Sequence, residues 1–116
     1  MREDYTALNE FVEEMKTTTK TNTKREIVAK WKSNDFVKNC LCYTLSAFKK
    51  YHVSSSNLIK NSELRYGSYD NLFVLLDDLS NRVITGHDAI GAINSYVENL
   101  DEQYKYLVYN ILDRSL

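Results

Sequence analysis

The stretch NDFVKNCLCYTLSAFKKY, residues 34–51, decides the fold class. Val37, Leu41, Thr44, Phe48 and Tyr51 recur at steps of three and four, the spacing that brings side chains onto one side of an α-helix. Phe36, Cys40 and Leu45 widen that stripe. A face this broad belongs to a helix covered on more than one side. Residues from a cap at Ser33 or Asn34 to Tyr51 are therefore predicted to form the central helix of a bundle.

The same period continues on both sides. Tyr5, Leu8, Val12 and Met15, with Phe11 beside them, predict a first helix over Asp4–Lys16. Thr17–Thr23 reads as an irregular loop, because β-branched and polar residues compete with helical hydrogen bonding. Thr23-Lys24-Arg25-Glu26 has the form of a capping box and opens a second helix over Lys24–Lys32, with Ile27, Val28 and Trp31 inward. Val53–Ser68 is polar and Ser-rich, with at most one turn near Leu58-Ile59. A helix capped by Ser68 or Asp70 runs to about Asn81 with Leu72, Leu75, Leu76 and Leu79 inward. Thr85 caps the next, to about Asn99, inward at Ala89, Ile90, Ile93 and Val97. Asp101 caps the last, inward at Tyr104, Leu107, Val108 and Ile111. No stretch reads as a strand or a repeat. The expected fold is all-α, a compact bundle of five to six helices in one domain spanning 1–116. With no Pro and only three Gly, few turns carry an obligatory breaker, which suits helices joined by short polar loops.

No run approaches the length of a membrane span, and the acidic start Met1-Arg2-Glu3-Asp4 is no signal peptide. The expectation is a cytoplasmic monomer with no membrane partner. Cys40 and Cys42, two residues apart on a helix, point to nearly opposite sides and suit neither a disulfide nor a shared metal. They read as core or boundary residues.

Charge is balanced in total, net -1, but not in distribution. From Lys16 to Lys60 there are ten Lys/Arg against two acids; from Gly67 onward, three against eight. A basic half opposite an acidic half is the pattern of a polyanion-binding face backed by a solvated one. Lys20, Lys24 and Arg25 gather where the second helix starts, and free backbone N–H groups at a helix N-terminus favour an anion. Lys49 and Lys50, beside Phe48 and Tyr51, make a basic and aromatic cluster at the end of the third helix.

Catalytic signatures are missing. There is no Gly-rich phosphate loop, no Cys/His metal spacing and no nucleophile elbow. His52 and His87 read as surface or capping residues. Asp77 and Asp78 are neighbours on a helix, about 100° apart, and read as a solvated acidic face.

Two segments carry a family likeness. Val83-Ile84-Thr85-Gly86-His87-Asp88-Ala89-Ile90 is followed, one helix later, by Tyr109-Asn110-Ile111-Leu112-Asp113-Arg114-Ser115-Leu116. This resembles the close of the N-terminal DNA-binding domain of ATP-dependent DNA ligases, most of all those of T-even-type bacteriophages. There an apolar-Thr-Gly turn opens the penultimate helix, and the last helix ends with Arg, a small or acidic residue and Leu. A Ser/Thr-Lys loop before Lys24-Arg25-Glu26-Ile27-Val28, and the ending Phe48-Lys49-Lys50-Tyr51, resemble the same family. The likeness spans nearly the whole chain, and the order of its motifs carries it.

The resemblance implies a sequence-nonspecific module that grips nicked duplex DNA across the minor groove through backbone contacts, in replication and repair. Carried over by motif, it nominates the Thr19–Arg25 loop, with Thr19, Lys20, Thr23, Lys24 and Arg25; the Thr85-Gly86-His87 turn; and Arg114. Lys49 and Lys50 join them on charge. It also implies that the chain is either the N-terminal part of a longer ligase or a free-standing relative of that domain, active in a host cytoplasm. The chain has no Lys-x-Asp-Gly, the element bearing the family's adenylated lysine, so it is not an enzyme alone. It needs no cofactor; ATP and Mg would belong to the catalytic domains.

Two rival readings remain. Lys24–Lys32 and Asn34–Tyr51 have the lengths of a helix-turn-helix regulator, but the second helix is too apolar around its circumference to lie in a major groove. An acidic C-terminal half could dock a protein partner; in a phage ligase the sliding clamp is one.

Overall fold

The first helix obeys the macrodipole at both ends. α1 (Arg2–Lys16) has Glu3 and Asp4 in its first turn and Lys16 in its last. It buries Tyr5, Leu8, Phe11 and Val12, four of the five residues of its predicted stripe. A computed structural model describes residues 2–116. Those residues form six further α-helices: α2 (Thr21–Trp31), α3 (Asp35–Leu45), α4 (Ser55–Lys60), α5 (Leu72–Ser80), α6 (Gly86–Val97) and α7 (Lys105–Leu112). A single 3₁₀ turn, Glu102–Tyr104, leads into α7. The chain is all-α as the periodicity predicts, with no strand among the described residues. None of these helices is long and apolar enough to cross a membrane.

The centre of the fold is α6 rather than α3. Every residue from Ala89 to Val97 is buried. Small or compact residues on what would be the polar side make this possible. Asn94 Nδ2 donates to the carbonyls of Asn61 (3.0 Å) and Leu64 (3.2 Å), and Ser95 Oγ accepts from Tyr66 N–H (3.0 Å). Gly91 lets the 65–66 backbone lie against the helix, because a Cβ there would sit 2.8 Å from the Arg65 carbonyl carbon. The irregular 61–71 segment thus finds its polar partners on α6.

α3 stops six residues before the predicted end. Thr44 Oγ1 donates back to the Cys40 carbonyl (2.6 Å), a bond that competes with the helix ladder. Ser46 then turns extended, with φ -64° and ψ 125°. The expected stripe breaks there: Val37, Cys40 and Thr44 are buried, but Leu45 is 70% exposed and Phe48 96%. Tyr51 returns to the core by the loop instead, and its hydroxyl donates to the Tyr43 carbonyl (2.5 Å).

Other boundaries differ by a few residues. α4 is a true helix where one turn is predicted. Ser54 N–H donates to Asn57 Oδ1 (3.2 Å) in a capping box, and Leu58 anchors it in the core. α5 is capped by Asn71, whose Oδ1 accepts from Phe73 and Val74 N–H, instead of by Ser68 or Asp70. α2 begins at Thr21, so Thr23 lies inside the helix and the Thr23/Glu26 capping box does not form. Thr18 is responsible: its Oγ1 accepts from Lys20 N–H (3.1 Å), making a turn that lets Lys20 stand at the cap position.

Four of the seven helices point the same way. Tyr5 meets Phe36 edge-on at 5.1 Å, and both helices pass on toward the groove formed by Met15 and Leu45, so α1 and α3 are parallel. Thr6 bonds Tyr104, Asn9 bonds Tyr106, and Lys16 lies over the Tyr106 ring, so α7 runs with α1. Phe36–Phe73 and Tyr43–Asp77 contacts set α5 alongside α3. α2 returns antiparallel, with Trp31 against Phe11 and Lys24 back near Lys16. α1, α3, α5 and α7 therefore end at one pole of the bundle, and α2 starts there.

Candidate nucleic-acid interface

The segments nominated from sequence all lie at or near that pole. The α1–α2 turn is shaped by Thr17, whose Oγ1 donates to the Glu14 carbonyl (2.6 Å), and by the Thr18–Lys20 bond. Thr19 and Lys20 are exposed on it. Lys20 at the cap offers no side-chain bond to the first turn of α2, and no carboxylate lies in that turn. The N–H groups of Thr21, Asn22 and Thr23 therefore accompany Lys20, Lys24 and Arg25 without an internal anion to neutralise them. Thr23 and Lys24 are half-buried and Arg25 is exposed.

A groove of about 970 Å³ opens between this turn and the ends of α3 and α7. Its floor is apolar, built by Phe11, Val12, Met15, Val28, Leu41 and Leu45. Lys16, Thr18 and Lys24 stand along one side; Ser46, Ser115 and Leu116 stand along the other. Cys42 faces it, while Cys40 is fully buried and its thiol is pushed up by desolvation, so the two cysteines do point apart.

On the far side, the α3–α4 loop is braced at three points. Phe48 N–H donates to Ser46 Oγ (3.3 Å). Lys49 Nζ reaches Asp77 Oδ1 (3.1 Å) and lies 4.6 Å over the Tyr43 ring. Tyr51 is buried. Lys49 thus serves the fold, whereas Lys50 is exposed and has no carboxylate partner among the described residues.

Arg114 follows α7 with φ 58°, the left-handed conformation that ends helices, and Ser115 N–H donates back to the Asn110 carbonyl (2.8 Å). Its Nε donates to the Thr44 carbonyl (3.3 Å), placing a cation at the C-terminus of α3. Asp113 beside it accepts from Ser55 N–H (2.9 Å) and Oγ (2.6 Å), tying α4 to the same end.

The Thr85-Gly86-His87 turn lies shortly beyond the end of α5 and is exposed throughout. Thr85 occupies the predicted cap position but its side chain makes no cap bond. Gly86 has φ 58°, and a Cβ there would meet nothing within 4 Å, so glycine is required by conformation and not by crowding.

Arg82 joins the site although nothing in the sequence singles it out. It is exposed, has φ 57° and closes α5 at the same pole. A positive φ at a lone Arg leaves no mark in the sequence. Asp77 and Asp78 correct the expected solvated acidic face. Both are half-buried; Asp77 holds Tyr43 and Lys49, and Asp78 accepts from the Tyr69 hydroxyl. Burial, then Asp78, pushes the Tyr69 phenol up to about 12. Among the described residues no three of His, Cys, Asp and Glu converge on a point.

Ion pairs hold six of the cations among the described residues, Lys16 beside the groove among them, by Glu13 (3.8 Å). Lys30 is held by Glu14 (2.8 Å), and that contact keeps the Glu14 carboxyl below its usual range. Lys49 is held by Asp77, Arg65 by Glu98, Arg2 by Asp101 and Lys105 by Glu102. Lys20, Lys24, Arg25, Lys32, Lys38, Lys50, Lys60, Arg82 and Arg114 make no such pair among the described residues; Lys32, Lys38 and Lys60 of these lie at the helix ends away from the pole. Comparison of the chain with protein-family models, with curated proteins and with solved structures returns no match.

Proposed function

We propose that this chain is a sequence-nonspecific duplex-DNA-binding module that engages nicked DNA through its phosphate backbone, of the kind that forms the N-terminal DNA-binding domain of phage ATP-dependent DNA ligases. One observation carries the reading. Lys20, Lys24, Arg25, Arg82 and Arg114 flank helix ends at one pole and Lys50 lies in the loop that follows α3; six of the nine carboxylate-free cations are in these segments, the others being Lys32, Lys38 and Lys60.

Backbone binding of this kind works by counterion release, so it reads little sequence and weakens with salt. The open first turn of α2 adds dipole-oriented N–H groups to the same surface. Nick sealing itself is assigned to catalytic domains outside this chain. The motif resemblance of Val83–Ile90 and Tyr109–Leu116 points to the ligase setting, and the pole of free cations supports the binding part independently.

The test is equilibrium binding of the chain to a nicked duplex of arbitrary sequence across salt. With about five phosphates engaged, log affinity should fall by roughly 4–5 per decade of salt. Two duplexes of unrelated sequence should bind alike. Absence of salt-sensitive binding at low ionic strength overturns the proposal, and a strong sequence preference transfers it to the helix-turn-helix reading.

A further inference from the structure

Phe48 stands 96% exposed, the barest of the exposed large apolar side chains. Its exposure is not the looseness of a free loop. The Ser46 hydroxyl holds its N–H, Lys49 is clamped by Asp77 and Tyr43 one residue on, and Tyr51 is buried three residues on. The backbone is fixed on both sides so that one aromatic ring projects. Leu45, 70% exposed, lies three residues before it, and the unpaired Lys50 lies two residues after it.

We infer that Phe48 is an apolar wedge that inserts against a nucleobase at the break in a nicked duplex, while Lys50 holds a flanking phosphate. This rests on the DNA-binding reading and adds a nick-sensing element to it. The occupant follows from chemistry: a bare aromatic ring two residues from the free cation Lys50 matches a base face beside a phosphate. Insertion between stacked bases in an intact duplex costs unstacking energy. At a nick the backbone is cut on one strand, so the step opens more cheaply and the ring gains its contact at less cost. Phe48 would then convert nonspecific affinity into preference for nicks. The braced backbone leaves little ordering to be done on binding.

The experiment compares the chain, Phe48→Ala and Phe48→Trp on nicked and intact duplexes of one sequence, with 2-aminopurine beside the nick. The chain should bind the nicked duplex roughly ten-fold tighter than the intact one and change the 2-aminopurine fluorescence. Phe48→Ala should lose roughly ten-fold affinity for the nicked duplex, a typical loss of one base–aromatic contact. Its affinity for intact duplex and its salt slope should be unchanged, since phenylalanine neutralises no phosphate. Phe48→Trp should restore both signals. Folding is not at issue, because the side chain covers almost nothing, and far-UV circular dichroism confirms it for each variant. Equal nicked-duplex affinity for the chain and Phe48→Ala overturns the wedge while leaving DNA binding intact. An equal loss on nicked and intact DNA overturns its nick preference. Failure of the chain to bind any duplex removes both readings.

Discussion

Tyr5 and Tyr96 join their hydroxyls at 2.6 Å in the middle of the core, 91 residues apart. Burial and this neighbour push the Tyr5 phenol far above its ordinary range, so both rings are neutral wherever the protein is folded near neutral pH. The bond fastens the start of α1 to the end of α6. Tyr5→Phe leaves the Tyr96 hydroxyl buried without that partner, at a cost of about 1–3 kcal/mol. Tyr5→Phe with Tyr96→Phe removes both polar atoms from the same site and should recover part of the loss. Urea unfolding of the two singles and the double measures this. A double mutant that loses the full sum of the singles would show the hydroxyls do not act as a pair.

Gly91 reverses the usual sign of a helix substitution. In an exposed helix interior, Gly→Ala gains about 1 kcal/mol of helix propensity. Here the new methyl would lie 2.8 Å from the Arg65 carbonyl carbon and 3.0 Å from Tyr66 N, both backbone atoms that cannot swing away. Gly91→Ala should therefore destabilise by about 1–3 kcal/mol, as overpacking does. Hydrogen exchange should quicken along residues 61–66, the segment it displaces. Unchanged or higher stability would mean that this close approach is not kept in solution.

The cations divide into two testable sets. Lys24→Glu and Lys50→Glu remove free charge at the pole, and each should weaken duplex binding and flatten the salt slope by about one. Lys60→Glu, on α4 at its far end from Asp113, is the control with the same change in net charge. Equal losses from all three would attribute binding to net charge alone and not to a surface.

α2 should be the first helix to open. It buries no residue fully, whereas α6 buries nine in succession. It is held to α1 by the Phe11–Trp31 contact and the Lys30–Glu14 pair, and an exposed pair adds at most about 1 kcal/mol. Native-state hydrogen exchange should show α2 amides exchanging well ahead of those in α6. Duplex DNA bound at the pole should slow them selectively, because Lys20 and Lys24 sit on this helix and its cap.

The difference between α2 and α6 also explains what the sequence made legible. Period-3.6 stripes identified α1, α5 and α7 correctly because each buries one coherent row. The same rule overextended α3, since Phe48 and Tyr51 fall in register by spacing while a hydrogen bond from Thr44 and the extended Ser46 end the helix first. It undervalued α6, where Gly91, Asn94 and Ser95 look like a solvent face but receive the 61–66 backbone. That partnership joins residues some 30 apart, which no local pattern records. The nominated binding residues were legible as charge and motif, but not their pairing. Lys49 is spent on Asp77 and Arg114 partly on Thr44, whereas Arg82 is free of any carboxylate among the described residues; pairing is a tertiary fact.

Alkali should unfold this protein early, for a reason that can be isolated at one residue. Tyr69 ionises near 10 when unconstrained and is pushed up to about 12 in the fold by burial and by its bond to Asp78. Tyr51 and Tyr5 shift the same way, chiefly by burial. The folded state therefore keeps protons that the unfolded state gives up between these values. Stability is full below about pH 10 and falls as pH rises from there toward 12. Urea unfolding at pH 8, 9 and 11 should give nearly equal stability at the first two and a clear loss at the third. Tyr69→Phe should be less stable at pH 8, because Asp78 loses its donor, yet decline less between pH 9 and 11. Equal declines in the two proteins would place the alkaline sensitivity elsewhere, in the other tyrosines that the fold raises, Tyr5, Tyr43, Tyr51, Tyr96 and Tyr106.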